Sequence, residues 1–313
     1  MIEQPINKNF PWFTTWFTAL LLVVYLVMAS LSGKLQIEPS LFEKFGAPYA
    51  VKIYSGHVYG VVFNNLIHVN LFHLFTNIVG LWLFGAFLER RIGWFKVAML
   101  GLMCSVFGSM IQLALTDDPG IGISSALFGF YTLILIMSFK DERFKMKFIY
   151  WFGALLLVFL LLMIFNNELF GNQVAIEAKI GGILWGFFMG ISQKEGSIKW
   201  QLLTLLLLPF SLVASTMLYA PWSSQWQCTQ GIHHHEKQEL KLAEEAYKKA
   251  LSIDPTNKLA KENYKLIQVD QLSILAYGAH KAGDYTDARR YYMKILAIKK
   301  NNRWALDNLK ELP

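Results

Sequence analysis

Cysteine is nearly absent from this chain of 313 residues: two occur, Cys104 inside an apolar segment and Cys228 just beyond the last one. They fall in different environments, so neither a disulfide framework nor a cysteine zinc site is implied. Charge is also scarce, at 16% of residues against 54% hydrophobic, with mean hydropathy +0.35. That excludes a soluble globular protein of this length. The net charge of +7 does not point to nucleic acid, because the cations of the first two thirds sit in short gaps between apolar runs, as membrane topology signals do. No small-residue cleavage site follows the first run, Trp12 to Leu31, which is therefore read as a span rather than a removed signal. No cofactor is implied.

The composition that is present changes at about residue 221. Seven stretches, 11–31, 66–88, 94–115, 122–139, 148–166, 174–192 and 200–219, are apolar and near the roughly 17–25 residues that an α-helix needs to cross the hydrocarbon core. Pro209 interrupts the last of them. Residues 1–221 are expected to form a transmembrane domain and 222–313 a soluble one. The fold class is all-α: a polytopic bundle of six core helices and a seventh, followed by helical repeats. Lys8, then Arg90, Arg91 and Lys96, then Lys140, Arg143, Lys145 and Lys147, then Lys194 and Lys199 fall on one side. The other side has Lys34, Lys44 and Lys52 in one longer loop, while Asp117, Asp118 and the stretch 166–172 bring no cation. The positive-inside rule then sets the N-terminus in the cytoplasm. Seven spans carry the tail to the extracytoplasmic side of a plasma (inner) membrane, with the lipid bilayer as surroundings.

In the tail, Ala243, Tyr247 and Ala250, followed by Asp254-Pro255, recur as Ala288, Tyr292 and Ile295 after Gly283-Asp284-Tyr285. Small residues at these helical intervals let antiparallel helices approach, as in tetratricopeptide pairs, which would hold a protein partner on a concave face. From Pro255 to Lys300 is 45 residues, beyond the usual repeat of about 34, so one helix is expected to extend through Leu259 to Ile267. A plain amphipathic bundle is the alternative. His233, His234 and His235 lie near Cys228, but consecutive residues on a helix point apart and cannot all meet one metal ion. A solvated or partner-facing cluster is expected there.

Four polar residues interrupt otherwise apolar segments: His73 and Asn77, Ser124, and Lys179. A central Lys in a span is unfavourable by roughly 2.5–3.5 kcal/mol on insertion scales, so such residues face a protein interior and mark function. Ser124, in Gly122-Ile123-Ser124-Ser125-Ala126-Leu127-Phe128-Gly129, would open its helix, where free N–H groups and the positive dipole end favour a developing negative charge. His73 and Asn77, four apart, share a face and can both donate hydrogen bonds to an oxyanion; the structural alternative is that they only tie helices together. Gly182 and Gly186 make a Gly-x-x-x-Gly face suited to close approach, expected at Gly129. Gly122 permits a tight turn into the serine helix. Lys179, one turn before Gly182, would then point at the serine.

With His68, His73 and Asn77, then Trp82-Leu83-Phe84-Gly85 leading to Glu89-Arg90-Arg91-Ile92-Gly93, then Gly122-Ile123-Ser124 and Ala178-x-x-Gly-Gly-x-x-x-Gly, the chain resembles the rhomboid family of intramembrane serine proteases over about residues 11–219. The resemblance implies Ser124 as nucleophile and an oxyanion hole from His73, Asn77 and the Ser124 N–H. It also implies a water-filled cavity open to the extracytoplasmic side and transmembrane substrates cut near that face. Two positions depart from the family: Lys179 stands where a base His is usual, and Tyr59-Gly60 where an aromatic-Arg pair is usual. An unperturbed Lys, pKa about 10.4, is protonated at pH 7. Full burial can lower a lysine by up to 3–5 units, as serine-lysine hydrolases require. Two readings stay open: an intramembrane endopeptidase with Lys179 as its base, and a catalytically inactive relative that binds transmembrane clients. A transporter would need broken helices in two related halves, which the sequence lacks.

Overall fold

The computed structural model describes residues 10–154, 157, 175–192, 207 and 209–313. Among these residues the protein is all-helical, with no strand. It divides into two compact units, Met1–Tyr219 and Ala220–Pro313.

Among the described residues of the first unit three helices are long and apolar enough to cross a membrane: α1 (Trp12–Ser32), α2 (Leu71–Ile92) and α3 (Trp94–Thr116). Two shorter ones follow, α4 (Ser124–Ser138) and α5 (Ile176–Ser192). The expected span at 148–166 is helical over 149–154, and beyond that it lies outside the described residues apart from Leu157. The span at 200–219 is described from Pro209 onward and at Leu207. Its Phe210 ring stacks on Phe107 at 6.2 Å, and Phe107 in turn meets Trp185 at 5.3 Å, tying this segment to α3 and α5.

Helix starts buried away from water need acceptors for their free N–H groups. Here neighbouring helices supply them. Glu89, near the end of α2, accepts from the backbone N–H of Phe13 and of Thr14, both at 2.9 Å, and from the Thr14 hydroxyl at 2.8 Å. Gln112 of α3 takes the Ala178 N–H of α5 at 3.0 Å. Asn70 caps α2 itself, accepting from His73 N–H at 2.8 Å. The turn Leu81–Gly85 within α2 is a π-helix, a widening that recurs near functional sites.

The second unit contains α6 (Ser224–Glu236), α7 (Leu240–Ile253), α8 (Lys258–Lys281), α9 (Tyr285–Ile298) and α10 (Arg303–Glu311). Its geometry repeats with a 45-residue offset. The left-handed turn residues are Gln238 (φ 62°) and Gly283 (φ 77°). Asn257 caps α8 on Ala260 N–H and Asn302 caps α10 on Ala305 N–H, each at 3.0 Å. Ala243, Tyr247 and Ala250 are buried in one half, and Ala288, Tyr292 and Ile295 in the other. α8 is continuous across the junction of the halves, 24 residues long, as the long spacing requires. The histidines take separate acidic partners: His234 meets Glu239 at 2.6 Å and His235 meets Asp270 at 2.8 Å.

Candidate active site

One wall of the site is the first turn of α2. Its Asn70 cap starts the helix at Leu71, so His73 and Asn77 stand one turn apart, and the Asn77 amide donates to the His73 backbone carbonyl at 2.9 Å. The His73 ring packs 4.9 Å from the buried ring of His68.

The second wall is the turn between α3 and α4. Asp117, Gly120 and Gly122 have φ of 58°, 66° and 85°, and the Asp118 carboxylate accepts from Gly120 N–H at 2.7 Å. Asn64 holds this turn from outside: its buried amide donates to the carbonyls of Pro119 at 2.8 Å and Gly120 at 2.7 Å, and to the Ser109 hydroxyl at 3.1 Å. Its backbone carbonyl takes Gly122 N–H at 3.1 Å. A Cβ on Gly122 would lie 2.8 Å from His73 Nε2 and 3.5 Å from Asn77 Nδ2. The ring and the amide thus press on the Gly122 backbone two residues before Ser124, and no larger residue fits. Ser124 then opens α4, half-buried, with no side chain capping the first-turn N–H groups.

α5 forms the third wall. A Cβ on Gly182 would strike the Ser125 carbonyl and one on Gly186 the Gly129 carbonyl, while Gly129 itself lies against Gly182 and the Cys104 Sγ. Bare backbone on both helices lets them touch at this crossing. Lys179, one turn earlier, is buried, and its Nζ donates to the Ala175 carbonyl at 3.0 Å. Among the described residues no hydrogen bond joins Nζ to Ser124. A buried ammonium needs acceptors, and the carbonyl one turn back supplies one. Among the described residues the Ser124 hydroxyl has no hydrogen-bond partner.

Residues 55–194, which hold all three walls, match the family described as Rhomboid domain. This stretch is similar to a rhomboid domain. With its apolar helices, it makes the chain an integral membrane protein. The chain is 25% identical over 288 residues to Rhomboid protease GluP of Bacillus subtilis, covering 89% of this chain and 53% of that protein. It is 25% identical over 176 residues to Rhomboid-like protease 1 of Toxoplasma gondii, covering 54% and 59%. With Rhomboid protease GlpG of Haemophilus influenzae it shares 25% over 172 residues, 54% of this chain and 88% of that one. The chain thus spans between half and three fifths of the first two relatives. Within residues 55–194, Gly60 is buried, and a Cβ there would sit 2.9 Å from Pro48 Cγ and 3.0 Å from Ile53 Cγ1, leaving no room for an arginine.

Sequence motifs alone do not mark Asn64 or Gln112. Both are buried amides, and Gln112 sits in an apolar span. The reasoning that exposes His73 and Lys179, that polar groups in spans are retained for a purpose, applies to Gln112 equally.

Proposed function

We propose that the protein is a rhomboid-type intramembrane serine endopeptidase that cleaves transmembrane proteins near the extracytoplasmic face. The observation that carries this reading is the seating of His73 Nε2 and Asn77 Nδ2 against Gly122, two donors beside an uncapped helix start that begins with Ser124. The protease names of its relatives support the same reading. Ser124 Oγ attacks the scissile carbonyl carbon and its proton passes to a neutral Lys179 Nζ. His73, Asn77 and the Ser124 N–H hold the oxyanion. The ammonium then returns the proton to the leaving nitrogen as the C–N bond breaks, and water, activated by the same amine, releases the acyl group from Ser124. The tail is a tetratricopeptide-like pair on the extracytoplasmic side of the plasma membrane that recruits a protein partner. Purified protein in lipid should cut a transmembrane substrate and the Ser124→Ala variant should not. Equal cleavage, or none by either, removes the enzymatic claim.

A second reading rests on the Lys179 hydrogen bond to the Ala175 carbonyl, which engages Nζ with backbone rather than with Ser124. In it the protein is catalytically inactive and binds transmembrane clients. Client capture unaffected by Ser124→Ala, with no labelling of Ser124 by a fluorophosphonate, would favour this reading. Hydrogen bonds at unliganded sites are often formed only with substrate, which keeps the first reading ahead.

A further inference from the structure

The first unit contains an apolar cavity of about 260 Å³ beside the serine helix. Ser125 and Gly129 face α5, whereas Ala126 and Phe130, one position on, line the cavity. Its inner wall, Leu81, Ile123, Ala126 and Phe130, is buried. Its mouth, Leu20 of α1, Leu102 of α3, and Val62 and Phe63 of the short helix before α2, is 37% to 47% exposed. The mouth runs into the outward face of the spans, where Trp16, Val23 and Met99 are exposed. In an integral membrane protein that face is covered by lipid.

The lining has no titratable side chain and two polar ones with hydrogen-bonding groups, Asn65 and Ser105. The Asn65 amide is engaged by the Val61 carbonyl at 2.9 Å and the Asn64 side-chain oxygen at 2.7 Å. A water needs two to four polar partners, and apolar cavities of roughly 150 Å³ stay dry and take up apolar guests. The chemistry therefore selects an uncharged hydrocarbon, entering from the surrounding lipid with any headgroup left outside. We propose that the cavity seats an acyl chain of a bilayer phospholipid, its end resting on Ile123 and Ala126, the residues on either side of Ser124-Ser125.

The full chain, in bilayer nanodiscs of phosphatidylcholine and phosphatidylglycerol, is given a phosphatidylcholine with a diazirine at the end of one acyl chain, photolysed, and its adducts are mapped by mass spectrometry. Adducts are expected on Leu81, Ile123 or Phe130 besides those on outward residues such as Val23. Ala98→Leu and Leu102→Trp narrow the cavity from within and at its mouth. Each should reduce the interior adducts several-fold while leaving the Val23 adducts, which report a folded protein. Adducts confined to outward residues, or interior adducts unchanged in both variants, overturn the proposal. So does interior labelling given by a diazirine fatty acid or a transmembrane peptide but not by the phospholipid. None of these outcomes depends on proteolysis.

Discussion

At the scale of single residues, the site depends on what Lys179 does with its amine. A base must be neutral to accept the serine proton, so with Lys179 in that role cleavage should rise with pH across the neutral range. Lys179→His should raise the rate at pH 7 and bring the rise close to the ordinary imidazole range near pH 6.5. A profile identical in the two proteins would separate position 179 from proton transfer. Asn64 makes a different kind of contribution. Asn64→Ala leaves the Pro119 and Gly120 carbonyls without their donor, a loss of about 1–3 kcal/mol for buried groups. Fluorophosphonate labelling of Ser124 should slow markedly and thermal stability should fall, and unchanged labelling would show that the turn holds itself. His73, Asn77, Ser124 and Lys179 could be picked out because each breaks an apolar run. Asn64 could not, because it opens a short 3₁₀ turn, Asn64–Leu66, too short to form an apolar run that an asparagine could break, and its partners Pro119 and Gly120 are distant in sequence.

At the scale of elements, hydropathy marks α1, α2 and α3, whose ends fall within a few residues of the apolar runs. It also marks α4 and α5, of 15 and 17 residues, within two residues at each end, but it does not show that their small residues serve helix contact rather than lipid. The crossing of these two helices is the tightest in the described unit and is specified by the spacing of Gly182 and Gly186. Gly182→Leu would drive its side chain into the Ser125 backbone, adjoining Ser124, the proposed nucleophile. Overpacking of that kind is unfavourable by about 1–3 kcal/mol or more, so both the melting temperature and Ser124 labelling should fall. A control in the lipid-exposed Ile180→Leu should change neither. Equal behaviour of the two variants would mean that α4 and α5 do not need this contact. Hydropathy is silent on how helix starts are satisfied, since Glu89 and Gln112 act on segments 75 and 66 residues away.

At the scale of the whole molecule, the 45-residue period of the tail is visible in the sequence because alanine and tyrosine recur at the same helical offsets. The joining of two helices into α8 follows from there being no glycine or proline from Lys258 to Tyr277. The proposed extracytoplasmic side of the tail rests instead on the expected count of seven spans, and a cysteine accessibility experiment tests it. The native thiols make a quiet background: Cys104 and Cys228 are both fully buried. Burial also pushes the Cys228 thiol up to about 11, so that at pH 8 only roughly one molecule in a thousand carries the reactive thiolate. Ser252, exposed near the end of α7, is a suitable place for a reporter. Ser252→Cys should react with a membrane-impermeant maleimide added to intact cells or spheroplasts at pH 8, while the unsubstituted protein stays unlabelled until denatured. Labelling of Ser252→Cys only after the membrane is permeabilised would put the tail in the cytoplasm, remove one span from the count, and leave any partner it recruits on the side opposite to that on which the Ser124 site would open.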